Sequence, residues 1–480
     1  MSLSLRRASV DTVSSMVALV APALASLVFV PRLLDQLGTA GFGVLAIAWA
    51  LLGYFSIFEL GLSRALTLVI AEMIGSSHAT EPRRMGLRGV VLLAALGMGG
   101  TLVTLALGAA TLTFWSAGSD THGWLVVLLV AAAVPAVTVF SGCRGVLEAN
   151  NAFTGSNTIR GLVGVASYAA PSWAASQVET GLTGAVGALV LVRVIGMVAM
   201  LLLARRYLSG TPAEHRPLRH DFQRLFSYGK WITVSNMVGP VMINMDRLIV
   251  GWTLGATAAG LYAAPQDLLS RASSFSGALT SVLFPHLAKF RARRLTRLSD
   301  RVLTNAWDVV AYPTIAGFTL LIAAMPALIQ MWLPAHADAS MIHTAQILAG
   351  GAMANTLAQL PAVDLQSGGR PDLNAKLHLA EVIPFAAATA VLSLLLGIEG
   401  AALAWSLRAV LDCLGLVVLS KKTAARARIR NRMIGVVVVG LACCGAAALP
   451  MPPWALLALC AVVVAVCGTR AVAALSGLRK

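Results

Sequence analysis

Charge is scarce in this sequence. Asp, Glu, Lys and Arg make up 12% of its 480 residues, against about 25% in soluble domains, while the nine apolar types make up 58%. That shortage excludes a chain solvated mainly by water. Long polar stretches are missing too: none exceeds roughly 25 residues, too short for an independent core, so no soluble catalytic or binding domain fits between the apolar runs. The six cysteines (Cys143, Cys413, Cys443, Cys444, Cys460 and Cys467) lie in or beside apolar runs without ligand spacing to any histidine, so no metal centre is expected. A G-x4-G-K-[ST] phosphate loop is absent, which argues against ATP hydrolysis by this chain. Acids are outnumbered, with 20 Asp and Glu against 36 Lys and Arg and a formal net charge of +16. The basic residues cluster in short segments between apolar runs rather than along a groove, so the excess reports topology and not nucleic-acid binding.

What is present is a series of apolar runs. A hydrocarbon core about 30 Å thick needs about 20 helical residues, and charge clusters and Gly/Pro turns divide the chain into about 14 such spans. They are expected near 12–34, 41–74, 87–115, 124–147, 158–176, 181–204, 230–253, 259–288, 304–328, 340–366, 375–396, 400–419, 433–449 and 454–475. Arg6, Arg7 and Ala23-Leu24-Ala25 imitate a signal peptide, but the run continues to Leu34, so retention of this segment is expected. Most Lys and Arg fall in alternate loops, including Arg83-Arg84, 205–230, 289–301 and 421–432. The positive-inside rule places those loops and both termini in the cytoplasm of a multi-pass inner-membrane protein. The opposite loops hold Asp120, Glu179, Asp338 and Glu399, with Arg32 the main exception.

The one long connection, 205–230, sets Phe222, Leu225 and Phe226 at i, i+3, i+4 among Arg219, His220 and Arg224, the pattern of a helix lying on anionic membrane lipids. It separates two copies of one pattern, LG-x4-G-x2-A-x4-LL, at Leu37 to Leu52 and at Leu254 to Leu269. Each copy straddles the outside turn between the first two spans of a six-span unit, and six spans preserve orientation, so the repeats are parallel. The expected fold class is therefore an all-α polytopic membrane protein: a six-helix lobe over 1–204, a cytoplasmic linker over 205–229, a second six-helix lobe over 230–419 and two further helices over 420–480. Transporters of this plan hold substrate near the midplane and expose it alternately to each side.

The segment from Leu37 to Glu72, with Leu37-Gly38-Thr39-Ala40-Gly41-Phe42-Gly43, Tyr54 to Leu62 and Arg64-Ala65-Leu66, resembles the opening of Wzx-type polysaccharide flippases. Met245 to Gly251, Leu254-Gly255, Gly260-Leu261-Tyr262 and Leu283 to Ala288 are similar to the start of that family's second half. The family belongs to the multidrug/oligosaccharidyl-lipid/polysaccharide exporter (MOP) superfamily. The resemblance implies transport of undecaprenyl-pyrophosphate-linked oligosaccharide from the cytoplasmic to the periplasmic leaflet, with membrane lipids and polysaccharide polymerase and chain-length proteins as partners and no organic cofactor.

Five arginines fall deep in spans: Arg64, Arg193, Arg247, Arg271 and Arg408. Each costs about 2.5–3.5 kcal/mol at a helix centre unless it finds a partner or a wet cavity. The deep acids are Glu59, Asp246, Asp267 and Asp412. Asp267 with Arg271, and Arg408 with Asp412, are spaced i, i+4 and can neutralise each other on one helix face. Asp246 and Arg247 are adjacent and point about 100° apart. Arg193 has no acid within two turns, so its partner is either a carboxylate of another helix, such as Glu59, or a substrate phosphate. Guanidinium stays charged and grips phosphate in a two-pronged way, which makes Arg64, Arg193, Arg247 and Arg271 the candidate pyrophosphate contacts. Glu59, Asp246, Asp267 and Asp412 are the candidates for coupling transport to a gradient of H+ or Na+. Asn236, Asn244, Gln266, Asn355 and Gln359 could meet sugars, though hydrogen bonding between helices is their commoner use. The competing readings are a multidrug/cation antiporter, which would want acids in excess, and a glycan polymerase or ligase, which would need a sizeable outside loop. His122, His336 and Asp338 form no catalytic constellation.

Overall fold

A computed structural model describes residues 2–55, 59, 62–75, 81–114, 121–177, 181–208, 242, 244–269, 296–367, 370–420, 424–449 and 451–478. The described secondary structure is helical throughout. It comprises α1 (Ser2–Tyr54), α2 (Leu62–Gly75), α3 (Glu81–Phe114), α4 (Thr121–Ala149), α5 (Phe153–Ala175), α6 (Gly181–Ala204), α7 (244–254), α8 (256–269), α9 (Thr296–Trp332), α10 (Ala339–Ser367), α11 (Pro371–Ser420), α12 (Ala424–Ala448) and α13 (Pro453–Leu478). Seven of the described helices are long and apolar enough by themselves to cross a bilayer.

Helices α1 and α11, at 53 and 50 residues, are more than twice the length one crossing needs. Each bends at a glycine, Gly38 in α1 and Gly397 in α11, and the two arms on either side serve as two spans. With those arms counted, the described helices fall on the apolar runs expected from the sequence, while most of the expected spans 230–253 and 259–288, at 230–241 and 270–288, lies outside the described residues. One expectation is corrected: the second span does not run unbroken over 41–74. Its helix stops at Tyr54 and resumes at Leu62, with Glu59 between them and the Leu62 amide donating to the Glu59 carbonyl at 2.8 Å. Backbone irregularity at membrane depth is tolerated where protein buries it, and Glu59 and Leu62 are both buried. The amphipathic segment expected near 219–226 lies outside the described residues.

The chain divides into two compact units, Met1–Leu248 and Ile249–Lys480. In the first, α3 packs on α4, α5 on both α1 and α6, and α4 on α6 and α2. Leu62, Ala65, Leu66, Val69, Ile70 and Met73 repeat at helical spacing on α2 and are buried with Val90, Leu93, Cys143, Val146 and Leu147 of α3 and α4. Small residues bring backbones close. A Cβ on Gly145 would lie 2.5 Å from the Ser63 carbonyl oxygen, and one on Gly161 would lie 3.1 Å from the Ala18 Cα. In the second unit α10 packs on α11, and α9 packs on α10, α12 and α13. The remaining surface is apolar: Leu102, Leu162, Leu202, Leu395, Leu457 and many others are exposed. An apolar surface of this extent suits lipid rather than water.

Candidate functional site

Arg193 sits about 12 residues, roughly 18 Å, into α6, near the middle of a bilayer core about 30 Å thick. Its Nε is buried and makes no hydrogen bond. Among the described residues no carboxylate pairs with it, and the group that acts on it electrostatically is the Tyr168 phenol of α5. The Tyr168 ring stacks at 4.9 Å, tilted by 48°, on Trp49 in the second arm of α1, and Trp49 in turn meets Phe42 edge-on at 6.1 Å. Trp49 Nε1 is likewise buried without an acceptor. Three mutually packed helices, α1, α5 and α6, thus hold two unsatisfied donors, one of them charged, that share one tyrosine as a neighbour. Buried donors are normally satisfied. A group rich in acceptor oxygens, such as a phosphate or a sugar, is the chemistry this arrangement can take.

Glu59, the carboxylate considered above as a partner for Arg193, is engaged elsewhere. Its Oε2 accepts hydrogen bonds at 2.7 Å from both Ser63 on α2 and Ser141 on α4. The positive charge acting on it is Arg144, which also pairs with Glu148 at 2.7 Å on the same face of α4. The break between α1 and α2 is what turns Glu59 inward onto these serines. The sequence spacing of Glu59 and Arg64, read along a continuous helix, could not show that.

Asp246 and Arg247 are both buried at the start of α7, where the Arg247 amide donates to Asp246 Oδ1 at 2.9 Å. Asp267 is half-buried on α8, beside buried Gln266. The side chain of Arg64, on α2, and the whole of Arg271 lie outside the described residues.

The pairing expected between Arg408 and Asp412 is corrected. Asp412 Oδ1 lies 3.2 Å from His378 Nε2, and Arg408 Nη1 lies 3.9 Å from Glu381 Oε2. The guanidinium also covers the Phe385 ring at 5.2 Å. The reason is the bend at Gly397, which folds the two arms of α11 together and offers partners across the hairpin in place of partners along one arm. His378 and Glu381 were missed by reasoning on spacing within a helix. Their i, i+3 placement inside an expected membrane span was the signal that could have found them. Trp49 and Tyr168 carried no comparable signal, because isolated aromatics are common in membrane helices.

Residues 10–291 match the model of a family described as polysaccharide biosynthesis protein. The chain is 27% identical over 397 residues to a Shigella flexneri protein named provisionally as an O-antigen transporter, covering 82% of this chain and 92% of that one. Among the solved structures that share its fold are a flippase and a multidrug resistance transporter. One is the lipid II flippase MurJ in an inward closed conformation, with TM-score 0.68 and 11% identity, covering 98% of this chain and 99% of that one. The other is a multidrug resistance MATE family transporter of the MOP superfamily in an inward-facing conformation, with TM-score 0.68 and 12% identity, covering 88% and 98%. The family match spans more than half of the sequence, so the chain belongs to the polysaccharide biosynthesis protein family, and its multi-pass helical fold is the one seen in MOP-superfamily membrane transporters.

Proposed function

We propose that this protein is a flippase that moves undecaprenyl-pyrophosphate-linked oligosaccharide from the cytoplasmic to the periplasmic leaflet of the bacterial inner membrane. The cargo would be a building block of a surface polysaccharide such as O-antigen, handed on to polymerase and chain-length proteins outside. The observation that carries this reading is Arg193: a guanidinium at mid-membrane depth with a buried, unsatisfied Nε and no carboxylate among the described residues. Fixed positive charge in a medium of low dielectric is what a pyrophosphate needs on its way across. Trp49 and Tyr168 give the neighbouring surface an aromatic face and a further donor, which suits a glycan. Arg64, Arg247 and Arg271 are proposed as additional phosphate contacts and Asp246 and Asp267 as ion-coupling residues.

The fold alone does not separate this reading from a cation antiporter, since MurJ and the MATE transporter match equally well. The deep groups do bear on it. Beside the aromatics of the first unit the unpaired group is an arginine, while Glu59 is held by two serines, an arrangement that suits an anionic rather than a cationic cargo. Parallel repeats over 1–204 and 230–419, joined by the linker 205–229 and followed by two helices over 420–480, are proposed as the moving parts.

Deletion of the gene tests the proposal. Extracted lipid-linked oligosaccharide should accumulate on the cytoplasmic leaflet, inaccessible to glycan-modifying reagents in intact spheroplasts, and the surface polymer should disappear. Accumulation of single units already exposed on the outside would show that transport does not need this protein.

A further inference from the structure

We propose that His378, Glu381, Arg408 and Asp412 form a proton-binding site inside the α11 hairpin, with Glu381 as the group that carries the proton. The four residues lie on the facing arms of one bent helix, His378 and Glu381 before Gly397 and Arg408 and Asp412 after it. At 1.5 Å per residue, Glu381 is roughly 15 Å from the start of α11 and Arg408 roughly 16 Å beyond the bend, so both fall near the middle of a hydrocarbon core. Glu381 and Arg408 side chains are only 13% and 12% exposed and Asp412 is 6% exposed, while His378, at 30%, is the member that reaches the surface of the unit.

The charge count requires a proton. With His378 neutral, two carboxylates face one guanidinium, which leaves one uncompensated negative charge in a medium where that is expensive. The hydrogen-bond geometry shows which group is neutral. Both carboxylate oxygens of Glu381, against Oδ1 alone of Asp412, are buried with no hydrogen-bond donor, and Arg408 Nε is also unsatisfied although its Nη1 is 3.9 Å from Glu381. An ionised carboxylate beside a guanidinium closes to about 2.7–2.9 Å with two parallel bonds. The longer, unbonded approach fits a protonated Glu381, which leaves the cluster with one positive charge on Arg408 and one negative charge on Asp412, the latter next to the His378 imidazole. Loading adds one proton from water to a Glu381 oxygen. Unloading returns that proton to water through His378 and leaves Glu381 free to pair with Arg408. Sodium fits less well, since Arg408 already places a fixed positive charge inside the cluster and His378 supplies a nitrogen in place of an oxygen ligand.

The surrounding titratable groups are few. Cys413 adjoins Asp412 on the same arm. Of the described residues on α10, the element that packs along α11, His343 pairs with Glu399 at 3.5 Å and Asp364 is buried near the far end of the helix. On α12 the described titratable side chains are the thiols of Cys443 and Cys444.

The test is infrared titration of the purified full-length protein without cargo, so its outcome is independent of the flippase reading. A protonated-carboxyl band should be present near neutral pH, vanish on alkaline titration with release of about one proton per chain, and be absent from Glu381→Gln. His378→Asn should retain the band and slow its response to a pH jump. A wild-type protein with no such band, a band that survives in Glu381→Gln, or a band abolished by sodium at constant pH overturns the proposal. The wild-type arm decides even where a variant does not fold.

Discussion

At the scale of single residues, Arg193 and its two aromatic neighbours make the sharpest demand on experiment. Arg193→Lys keeps one positive charge but loses the planar fork, so flipping per inserted molecule should fall while membrane abundance is unchanged. Arg193→Ala removes a charge-assisted bond worth about 1.5–3 kcal/mol, or roughly 10- to 100-fold in rate where that bond forms in transit. Insertion should be unharmed or improved, because no carboxylate among the described residues is orphaned by the change. Flipping assays normalised to membrane protein level check both. Reduced abundance in Arg193→Ala, with normal transport by what remains, would make this arginine structural. Trp49→Phe keeps an aromatic ring against Tyr168 but loses the indole N–H and part of the ring's bulk, so a loss of transport at unchanged membrane abundance and melting temperature points to the donor rather than the packing.

At the scale of elements, the bends are set by backbone conformations that side chains resist. Gly38 has φ 68° and ψ 173°, a region essentially restricted to glycine, and Gly255, its counterpart in the second copy of the LG-x4-G-x2-A-x4-LL pattern, also has positive φ at 89°. The repeat was legible as letters, and its first glycine marks a bend before a new helical arm both times. Gly38→Ala should destabilise the purified protein by about 1–3 kcal/mol and lower its melting temperature in detergent. Gly99→Ala on α3 is the matched control, because its Cβ meets nothing within 4 Å, and it should be neutral or slightly stabilising. Equal melting of the two variants would remove strain at the bend as an explanation for the conserved geometry of the two copies. What the letters could not give was register across a bend. Arg408 and Asp412 read as partners because i, i+4 is the only proximity a sequence displays, whereas His378 and Glu381, some thirty residues away, are nearer once α11 folds at Gly397. The same limit hid the grip of Ser141 on Glu59, 82 residues apart.

At the scale of the whole molecule, the apolar spans were the feature most fully written in the sequence, because lipid imposes them on every stretch of about 20 residues. Exposed tryptophans add an independent mark of the membrane interface. Trp124 opens α4, Trp173 nearly closes α5, Trp252 lies just before the Gly255 bend and Trp454 opens α13, and all four are exposed. Each borders a connection that carries little positive charge, and it is that charge, with an interfacial belt at the same level, that assigns these ends to the outer surface in the proposed topology. The orientation that follows puts Arg205 on the cytoplasmic side and Ala335, in the turn Pro334–His336 between α9 and α10, on the periplasmic side. Both positions are exposed, and five of the six native cysteines are buried, so a new thiol will stand out above background. Ala335→Cys should react with a membrane-impermeant maleimide in intact cells, and Arg205→Cys should react only after the inner membrane is opened. The reverse pattern would invert the topology. Arg193, lying near mid-depth, would keep its place in the membrane, but the direction of transport from cytoplasm to periplasm would lose its basis in the charge distribution of the chain.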